Sequence, residues 1–321
     1  MSYAFEAQGL VKRFGATTAL AGIDLAAPEG TVLGVLGPNG AGKTTAVRIL
    51  ATLLRADEGR ATVSGLDVAT QASAVRRRIG LTGQYASVDE DLTGLENLVL
   101  IGRLLDLSRR DARSRALHLL GQFDLSEAQD RLAKTYSGGM RRRLDLAASL
   151  VGRPAVIYLD EPTTGLDPGK REDVWQLVRR LADDGTTVLL TTQYLEEADA
   201  LADEISVINH GKVIAHGTPA ELKHIVGGQT LEVRPVDPAD LGAVGQLLTE
   251  VAQRPTESPG RGVLSVPVES DAALTTVVAR LAAAGIAVTE LSLRLPSLDE
   301  AFFALTGRHA TEETETEESA A

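Results

Sequence analysis

The chain lacks cysteine altogether, and this absence excludes disulfide bonds and metal sites built on thiolates. Basic residues are also scarce, because 32 Lys and Arg stand against 44 Asp and Glu for a net charge of −12. A general nucleic-acid binder needs a basic face to neutralise phosphates, so we expect no nucleic-acid partner. The longest apolar run falls short of the ~18 residues of a membrane-spanning helix, and the first ten residues lack the pattern of a secretory signal. We therefore expect a globular protein that does not cross a bilayer by itself.

The 321 residues, of which 44% are hydrophobic, suffice for two domains with a sizeable core. In the first two-thirds of the chain, apolar β-type runs alternate with helical patterns. This alternation is typical of a largely parallel sheet with helices on both faces. We predict buried strands at residues 31–36, 155–159 and 187–191, a helix at 45–54 and a terminal hairpin at 204–215.

The pattern then changes twice. Within residues 85–135, leucines recur at helical spacing, which predicts a helical subdomain inserted into a first domain of residues 1–226. Gly227-Gly228 begins a small α/β domain at residues 227–309, and the acidic, low-complexity residues 310–321 are predicted to be disordered. In the second domain we predict strands at 230–234, 263–268 and 286–295, and helices at 239–253, 271–284 and 298–306.

A glycine-rich loop follows the first buried strand. The phosphate-binding pattern G-x-x-x-x-G-K-[ST] is matched there by Gly37, Pro38, Asn39, Gly40, Ala41, Gly42, Lys43 and Thr44. Glycines let backbone N–H groups turn toward phosphate oxygens, and the helix that includes Thr45 directs its positive end at the same anion. Lys43 is predicted to reach the β- and γ-phosphates of a nucleotide, and Thr44 to be a ligand of Mg²⁺. A chance match is the alternative, and the flanking strand and helix argue against it.

A second buried strand ends in two carboxylates, Asp160 and Glu161. Strands often end in an acidic turn, so this pair alone is a weak signal. Together with the glycine-rich loop it predicts that Asp160 holds Mg²⁺ and that Glu161 activates the attacking water as a general base.

A third motif is Tyr136-Ser137-Gly138-Gly139-Met140, which is similar to the signature LSGGQ. With this motif, the most specific of the three, residues 3–221 resemble the nucleotide-binding domains of ABC transporters. The resemblance implies an α/β P-loop ATPase that binds ATP and Mg²⁺. It also implies that Ser137, Gly138 and Gly139 close over the γ-phosphate of an ATP held by an opposing subunit. Met140 replaces the usual Gln, which removes a polar side chain and leaves the backbone donors.

Other positions match the family in order. Gln84 stands where the family's Q-loop glutamine contacts Mg²⁺ and couples to the membrane partner, and Gly165-Leu166-Asp167 resembles the D-loop. Phe14 stands where an aromatic ring stacks on adenine, and a core aromatic is the competing interpretation. Gln193 replaces the switch histidine of the family. Its amide can donate to a γ-phosphate, but it cannot carry a proton charge.

Several longer segments narrow the resemblance, among them GQYASVDEDLTGLENL, TYSGGMRRRLDLAASLV and LDEAFFALTG. They resemble one branch of the family, the ATP-binding subunits of bacterial daunorubicin-resistance-type exporters. The resemblance implies a homodimer of ATPase subunits at the cytoplasmic face of the membrane, with a separate membrane permease as partner. ATP hydrolysis would then drive export of a drug or antibiotic. The appended domain either stabilises the subunit or its dimer, or regulates the motor.

Two other functions share the P-loop. A soluble ABC ATPase of translation or DNA repair usually fuses two such domains or carries a long coiled coil, and this chain has one P-loop and no sustained heptads. A GTPase would need an Asn-Lys-x-Asp loop for guanine, which the sequence lacks. Two arginine triplets, at residues 76–78 and 141–143, stay open, since each fits a solvated helix face or a functional patch.

Overall fold

The structure is a computed structural model that describes residues 2–83, 88–225, 229–260, 262–268, 272–294 and 297–306. Internal contacts divide the chain into two compact units, Met1–Pro219 and Ala220–Ala321. The glycine pair at the predicted domain boundary and the predicted acidic tail lie outside the described residues, so the predicted domain limits stay predictions. In the described part of the chain, no helix combines the length and apolarity needed to cross a membrane.

The described residues form fourteen strands and eleven α-helices. The strands are β1 (Tyr3–Phe14), β2 (Thr17–Pro28), β3 (Val32–Leu36), β4 (Glu58–Val63), β5 (Leu66–Asp67), β6 (Ile79–Thr82), β7 (Val156–Asp160), β8 (Thr187–Thr192), β9 (Glu204–Asn209), β10 (Lys212–Gly217), β11 (Gln229–Pro235), β12 (Glu257–Gly260), β13 (Val263–Val268) and β14 (Val288–Arg294). The helices are α1 (Lys43–Leu50), α2 (Ala72–Arg76), α3 (Gly94–Leu104), α4 (Arg109–Gln122), α5 (Gly138–Ser149), α6 (Pro168–Asp183), α7 (Leu195–Leu201), α8 (Pro219–Ile225), α9 (Leu241–Ala252), α10 (Ala272–Ala283) and α11 (Leu298–Thr306).

A six-stranded sheet with the order β10-β9-β3-β8-β7-β6 forms the centre of the first unit. The strands from β9 to β6 are parallel, and β10 pairs with β9 in the antiparallel sense. Every residue of β3, β7 and β8 is buried, which explains their nearly continuous apolar sequences. Parallel strands end at a common edge, so the loops after β3, β7 and β8 meet there, where ligands bind in open α/β sheets.

A second sheet, with the order β2-β1-β4-β5, is antiparallel. This sheet was not predicted from the sequence. The pairing of β1 with β2 shifts register between Ala7 and Leu10, next to the left-handed Gly9, so the strands lack a clean polar–apolar alternation. Phe5 of this sheet packs edge-on against Tyr158 of the central sheet, with ring centroids 6.0 Å apart. The two sheets therefore share a core.

The predicted helical insertion contains α3 and α4, and α5 follows it. Thr93 caps α3 through a capping box with Glu96, and Ser108 caps α4 by accepting from the backbone N–H of Asp111. Apolar residues of the three helices share one core, which includes Leu98, Leu119, Leu120 and Leu144. This packing fixes α5, whose N-terminus carries the predicted signature.

The second unit follows the order β11-α9-β12-β13-α10-β14 and has an antiparallel sheet of order β12-β13-β11-β14. This βαββαβ arrangement is a split βαβ fold. Its core includes Leu231, Val233, Val244, Leu248, Val266, Val268, Val277 and Leu281. The strands and helices predicted for this region are present within a few residues of their predicted limits. Strand β12 was not predicted, because its sequence ESPG has the composition of a turn.

Candidate functional site

The loop between β3 and α1 passes very close to neighbouring strands. Gly42 precedes α1 with a left-handed φ of 111°, and a Cβ on it would lie 2.5 Å from the carbonyl oxygen of Ala19. A Cβ on Gly37 would lie 2.2 Å from the carbonyl oxygen of Ile208. Both positions therefore admit only glycine unless the backbone moves. The first turn of α1 leaves its N–H groups without helical partners, which suits an anion.

Lys43 begins α1 and is 4% exposed. Its Nζ donates to the carbonyl oxygens of Gly37 at 2.7 Å and Pro38 at 3.2 Å. An ammonium group has three N–H donors, so one remains for a phosphate oxygen. Burial lowers the pKa of Lys43, while the carboxylates of Glu161 and Asp160 oppose that shift. A phosphate in the cleft would favour the charged ammonium further.

Asp160 ends β7 and is 4% exposed. Its Oδ1 accepts from Thr191 Oγ1 at 2.5 Å and from Thr44 Oγ1 at 3.2 Å. Thr44 lies in the first turn of α1, and Thr191 is the partner of Asp160 in the parallel register of β7 and β8. Mg²⁺ takes oxygen ligands and combines one or two carboxylates with substrate phosphates, so this hydroxyl and carboxylate fit such an ion.

Glu161 follows Asp160 and has a left-handed backbone with φ 49°. Its N–H donates to the backbone oxygen and the Oγ1 of Thr191, each at 3.1 Å. The carboxylate contacts two side chains: Oε1 is 3.7 Å from Lys43 Nζ, and Oε2 accepts from Thr164 Oγ1 at 3.3 Å. A non-glycine residue in this conformation is strained, and such strain clusters at active sites where surrounding contacts impose it. Here the contacts hold the carboxylate against the P-loop.

These groups border a cleft of about 190 Å³. The cleft is lined by Ala19, Asn39, Gly40, Ala41, Gly42, Lys43, Thr44, Thr45 and Glu161. The structure thus brings Glu161 to the glycine-rich loop, and Asp160 joins them through Thr44. Two neighbours of the site were not predicted from the sequence. Ala19 comes from the unpredicted antiparallel sheet, and Thr191 is placed by strand register, which only the pairing of parallel strands could have indicated.

The predicted signature lies outside this cleft. Ser137 caps α5 by accepting from the backbone N–H of Met140 at 3.3 Å, and both Ser137 and Gly138 are exposed. Ser137 and Gly139 border a separate cleft of about 90 Å³ together with Leu166 of the predicted D-loop. Within one chain, the signature and the P-loop therefore do not form one site.

The remaining predicted residues differ in their surroundings. Gln193 follows β8 and is half-buried. Phe14 ends β1 with 51% of its surface exposed, which excludes the interpretation as a core aromatic. Lys12 Nζ lies 5.6 Å from the centroid of the Phe14 ring. Gln84 lies outside the described residues.

Comparison with known proteins gives two family models along the chain. The ABC transporter model matches residues 20–164, and the model for the C-terminal domain of DrrA1-3-like ATP-binding proteins matches residues 217–306. The daunorubicin resistance ATP-binding protein DrrA2 of Streptomyces coeruleorubidus is 56% identical over 320 residues, which cover 99% of each chain. The chain belongs to the daunorubicin-resistance branch of the ABC transporter ATP-binding proteins. Its predicted family is thereby confirmed.

Solved structures agree with this membership of the ABC family. An ATP-binding cassette of an ABC transporter in its ADP conformation is 28% identical with a TM-score of 0.63, covering 69% of this chain and 93% of that chain. A dimeric ATP-binding cassette in a post-hydrolysis state, bound to ADP and phosphate, is 27% identical with a TM-score of 0.61, covering 67% of this chain and 98% of that chain. The predicted fold class and ATPase activity are confirmed, and the subunit binds nucleotide.

Proposed function

We propose that this ABC subunit energises export of a drug or antibiotic through a separate membrane permease. The observation that carries the proposal is the 56% identity to a daunorubicin resistance protein across 99% of both chains. The identity includes the appended second unit, which matches the C-terminal domain of the same branch. A soluble ABC ATPase of translation or repair would not be expected to share that unit.

In the proposed reaction, the triphosphate of ATP lies along the P-loop cleft and the adenine stacks on the exposed ring of Phe14. Lys43 gives its remaining N–H to the β- and γ-phosphates, and the backbone N–H groups of the loop bind the other oxygens. Mg²⁺, held by Thr44 and Asp160, would neutralise charge on the transferred phosphoryl group. Glu161 orients the attacking water and accepts its proton.

Two copies of the subunit are proposed to enclose two ATP molecules. Ser137, Gly138 and Gly139 lie at the N-terminus of a twelve-residue helix and outside the P-loop cleft of their own chain, so they are available to a phosphate held by the second copy. A similar cassette forms a dimer in its post-hydrolysis state. Gln193 donates its amide N–H to the γ-phosphate, and Gln84 is proposed as a further Mg²⁺ ligand.

The membrane permease and the cytoplasmic face of the membrane belong to the same proposal. Closure of the dimer around ATP shifts the permease between two conformations, and hydrolysis reopens the dimer. Affinity purification of the tagged chain from detergent-solubilised membranes of its native cells should recover a membrane protein in stoichiometric amount. Recovery of the subunit without a membrane protein would contradict the proposed complex with a permease.

Replacement of Glu161 tests the catalytic assignment. Glu161→Gln keeps the shape of the side chain and removes the base, so we expect ATP binding to persist while turnover falls by about 100-fold or more. Closed dimers should then accumulate with ATP, which size-exclusion chromatography measures. Glu172→Gln, on the exposed face of α6, is the matched control and should hydrolyse ATP normally. Undiminished turnover in Glu161→Gln would remove Glu161 from the catalytic role.

A further inference from the structure

The three arginines at residues 141–143 lie on α5, and their side chains have different surroundings. Arg141 and Arg143 lie beside carboxylates at the surface: Arg141 Nη1 is 2.8 Å from Glu90 Oε1, and Arg143 Nη1 is 3.9 Å from Asp124 Oδ2. The side chains of Glu90 and Asp124 are 55% and 85% exposed, so solvent screens both pairs. Arg141 and Arg143 are themselves half-buried, with side chains 32% and 30% exposed, and both are directed at surface carboxylates. Arg142 differs from both.

Arg142 points into the subunit and bridges two backbone carbonyls. Its Nε donates to the oxygen of Pro162 at 2.7 Å, and its Nη1 donates to the oxygen of Gly83 at 3.1 Å. Pro162 is bonded to Glu161, the proposed base, and Gly83 directly precedes Gln84. One guanidinium thus connects the helix of the signature to two loops at the catalytic edge of the same subunit.

The surroundings of Arg142 are buried and charged. Burial lowers its pKa, while Asp145, Glu197 and Asp160 oppose that shift, and an arginine stays protonated in this setting. Glu197 of α7 is fully buried and accepts from the indole N–H of Trp175 at 3.2 Å. Arg142 Nη2 is buried and has no hydrogen-bond partner among the described residues. Arg141 Nε and Arg115 Nε share this unmet state, so what distinguishes Arg142 is its bridge between the carbonyl oxygens of Pro162 and Gly83.

We propose that Arg142 is a positioning residue that couples the two ATP sites of the dimer. This inference rests on the proposed function, in which Ser137, the N-cap of α5, contacts the ATP held by the opposing subunit. When that contact forms, α5 moves. Arg142 transmits this movement to the carbonyl of Pro162, and the neighbouring Glu161 moves with it. Because Glu161 already has a strained backbone, with φ 49°, a small displacement of Pro162 reorients its carboxylate. Phosphate contact at one site thereby sets the catalytic geometry of the other.

Steady-state ATP hydrolysis by the full-length chain, alone and with its copurified permease, tests the proposal. Arg142→Met keeps most of the side-chain volume and removes the donors. We expect kcat to fall about 10- to 100-fold, as for a misplaced catalytic group, while KM for ATP changes less than about threefold. Coupling of the two sites also predicts a sigmoidal dependence of the wild-type rate on ATP concentration, and Arg142→Met should lose it. Arg142→Lys keeps the charge but cannot span both carbonyls, so it should fall between Arg142→Met and the wild type.

Arg115 of α4 offers a matched control, because it contacts the C-terminal end of α5. Its Nη2 donates to the oxygen of Leu150, the C-cap of α5, at 2.8 Å, its Nε is buried without a partner among the described residues, and burial lowers its pKa. Arg115→Met therefore removes a similar bond from α5 without touching the catalytic edge. We expect it to lower thermal stability and to leave kcat within about twofold of the wild type.

Three results would overturn the coupling role. The first is a kcat of Arg142→Met within about twofold of the wild type, with sigmoidal kinetics retained. The second is a loss of kcat in Arg115→Met equal to that in Arg142→Met. The third is wild-type kinetics in Arg142→Lys. If Arg142→Met does not fold, the comparison of Arg142→Lys with Arg115→Met decides by the same criteria. A wild-type chain that hydrolyses no ATP in either form would instead contradict the proposed function itself.

Discussion

Lys43 shows how a single side chain decides whether this site can hold a polyphosphate. Two of its three N–H donors are occupied by carbonyls of its own loop, which leaves the third for a phosphate, and Glu161 Oε1 lies 3.7 Å from the same nitrogen. Lys43→Ala keeps the loop glycines and removes the charge. A hydrogen bond to a charged partner contributes about 1.5–3 kcal/mol, so we expect the dissociation constant for ATP to rise about 10- to 100-fold. Isothermal titration calorimetry measures it. Lys134→Ala, at an exposed ion pair with Asp91, should bind normally, and unchanged binding in Lys43→Ala would refute the P-loop assignment.

Two buried tyrosines should respond to the loss of their hydroxyl groups with opposite signs. Tyr158 is fully buried, and its hydroxyl has no hydrogen-bond partner in the described part of the chain. Tyr136 donates its hydroxyl to the oxygen of Ala128 at 2.7 Å. Tyr158→Phe should therefore raise the free energy of unfolding by up to about 1 kcal/mol, and Tyr136→Phe should lower it by about 1 kcal/mol. Urea unfolding of both variants checks this, and shifts of the same sign would contradict the assigned contacts.

Among the elements, the junction of loop and helix at Gly42 is less tolerant of a side chain than the last turn of α4. A Cβ on Gly42 meets the oxygen of Ala19 at 2.5 Å, and its φ of 111° is unfavourable for other residues. Gly42→Ala should lower the free energy of unfolding by about 1–3 kcal/mol and abolish ATP binding. Gly121 lies within α4, and its nearest neighbour to a new Cβ is Ser126 Oγ at 3.8 Å. Gly121→Ala should raise stability by up to about 0.5 kcal/mol, less than in a helix interior because Gly121 lies in the last turn, as thermal unfolding would show. A stabilised Gly42→Ala variant would be incompatible with the loop geometry.

The elements that could be predicted from sequence are those with a local signal. Strands β3, β7 and β8 are short buried runs next to motif residues, and their carboxyl ends locate the P-loop, Asp160 and Glu161. The hairpin of β1 and β2 was missed because shifts of register interrupt its alternation. Thr191 was missed because its contact with Asp160 depends on the pairing of two distant strands. The inward direction of Arg142 could not be distinguished from that of its neighbours, since only the packing of α5 decides it.

At the level of the whole molecule, every residue assigned to phosphate, Mg²⁺, adenine or the opposing subunit lies in the first compact unit, which ends at Pro219. The second unit has a core of its own. A chain that ends after Gly227 should therefore bind ATP with nearly full affinity. Its dimerisation or its support of drug tolerance should weaken, because a unit without nucleotide ligands is best explained by subunit contacts or regulation.

The same soluble, monodisperse truncation should be used for ATP binding and for drug tolerance in cells. Loss of ATP binding in a folded sample would show that the second unit helps to build the nucleotide site. Full drug tolerance would leave that unit without the role proposed for it.

Trp175 is the sole tryptophan of the 321 residues, and its indole donates to Glu197 on α7, the helix that follows Gln193. Fluorescence excited selectively at tryptophan therefore comes from a single site, beside the loop that contains Gln193. The colour and yield of indole emission depend on the polarity and hydrogen bonding around the ring. The subunit thus contains its own optical reporter, and stopped-flow fluorescence of the unlabelled protein can time the movement of this loop within each turnover.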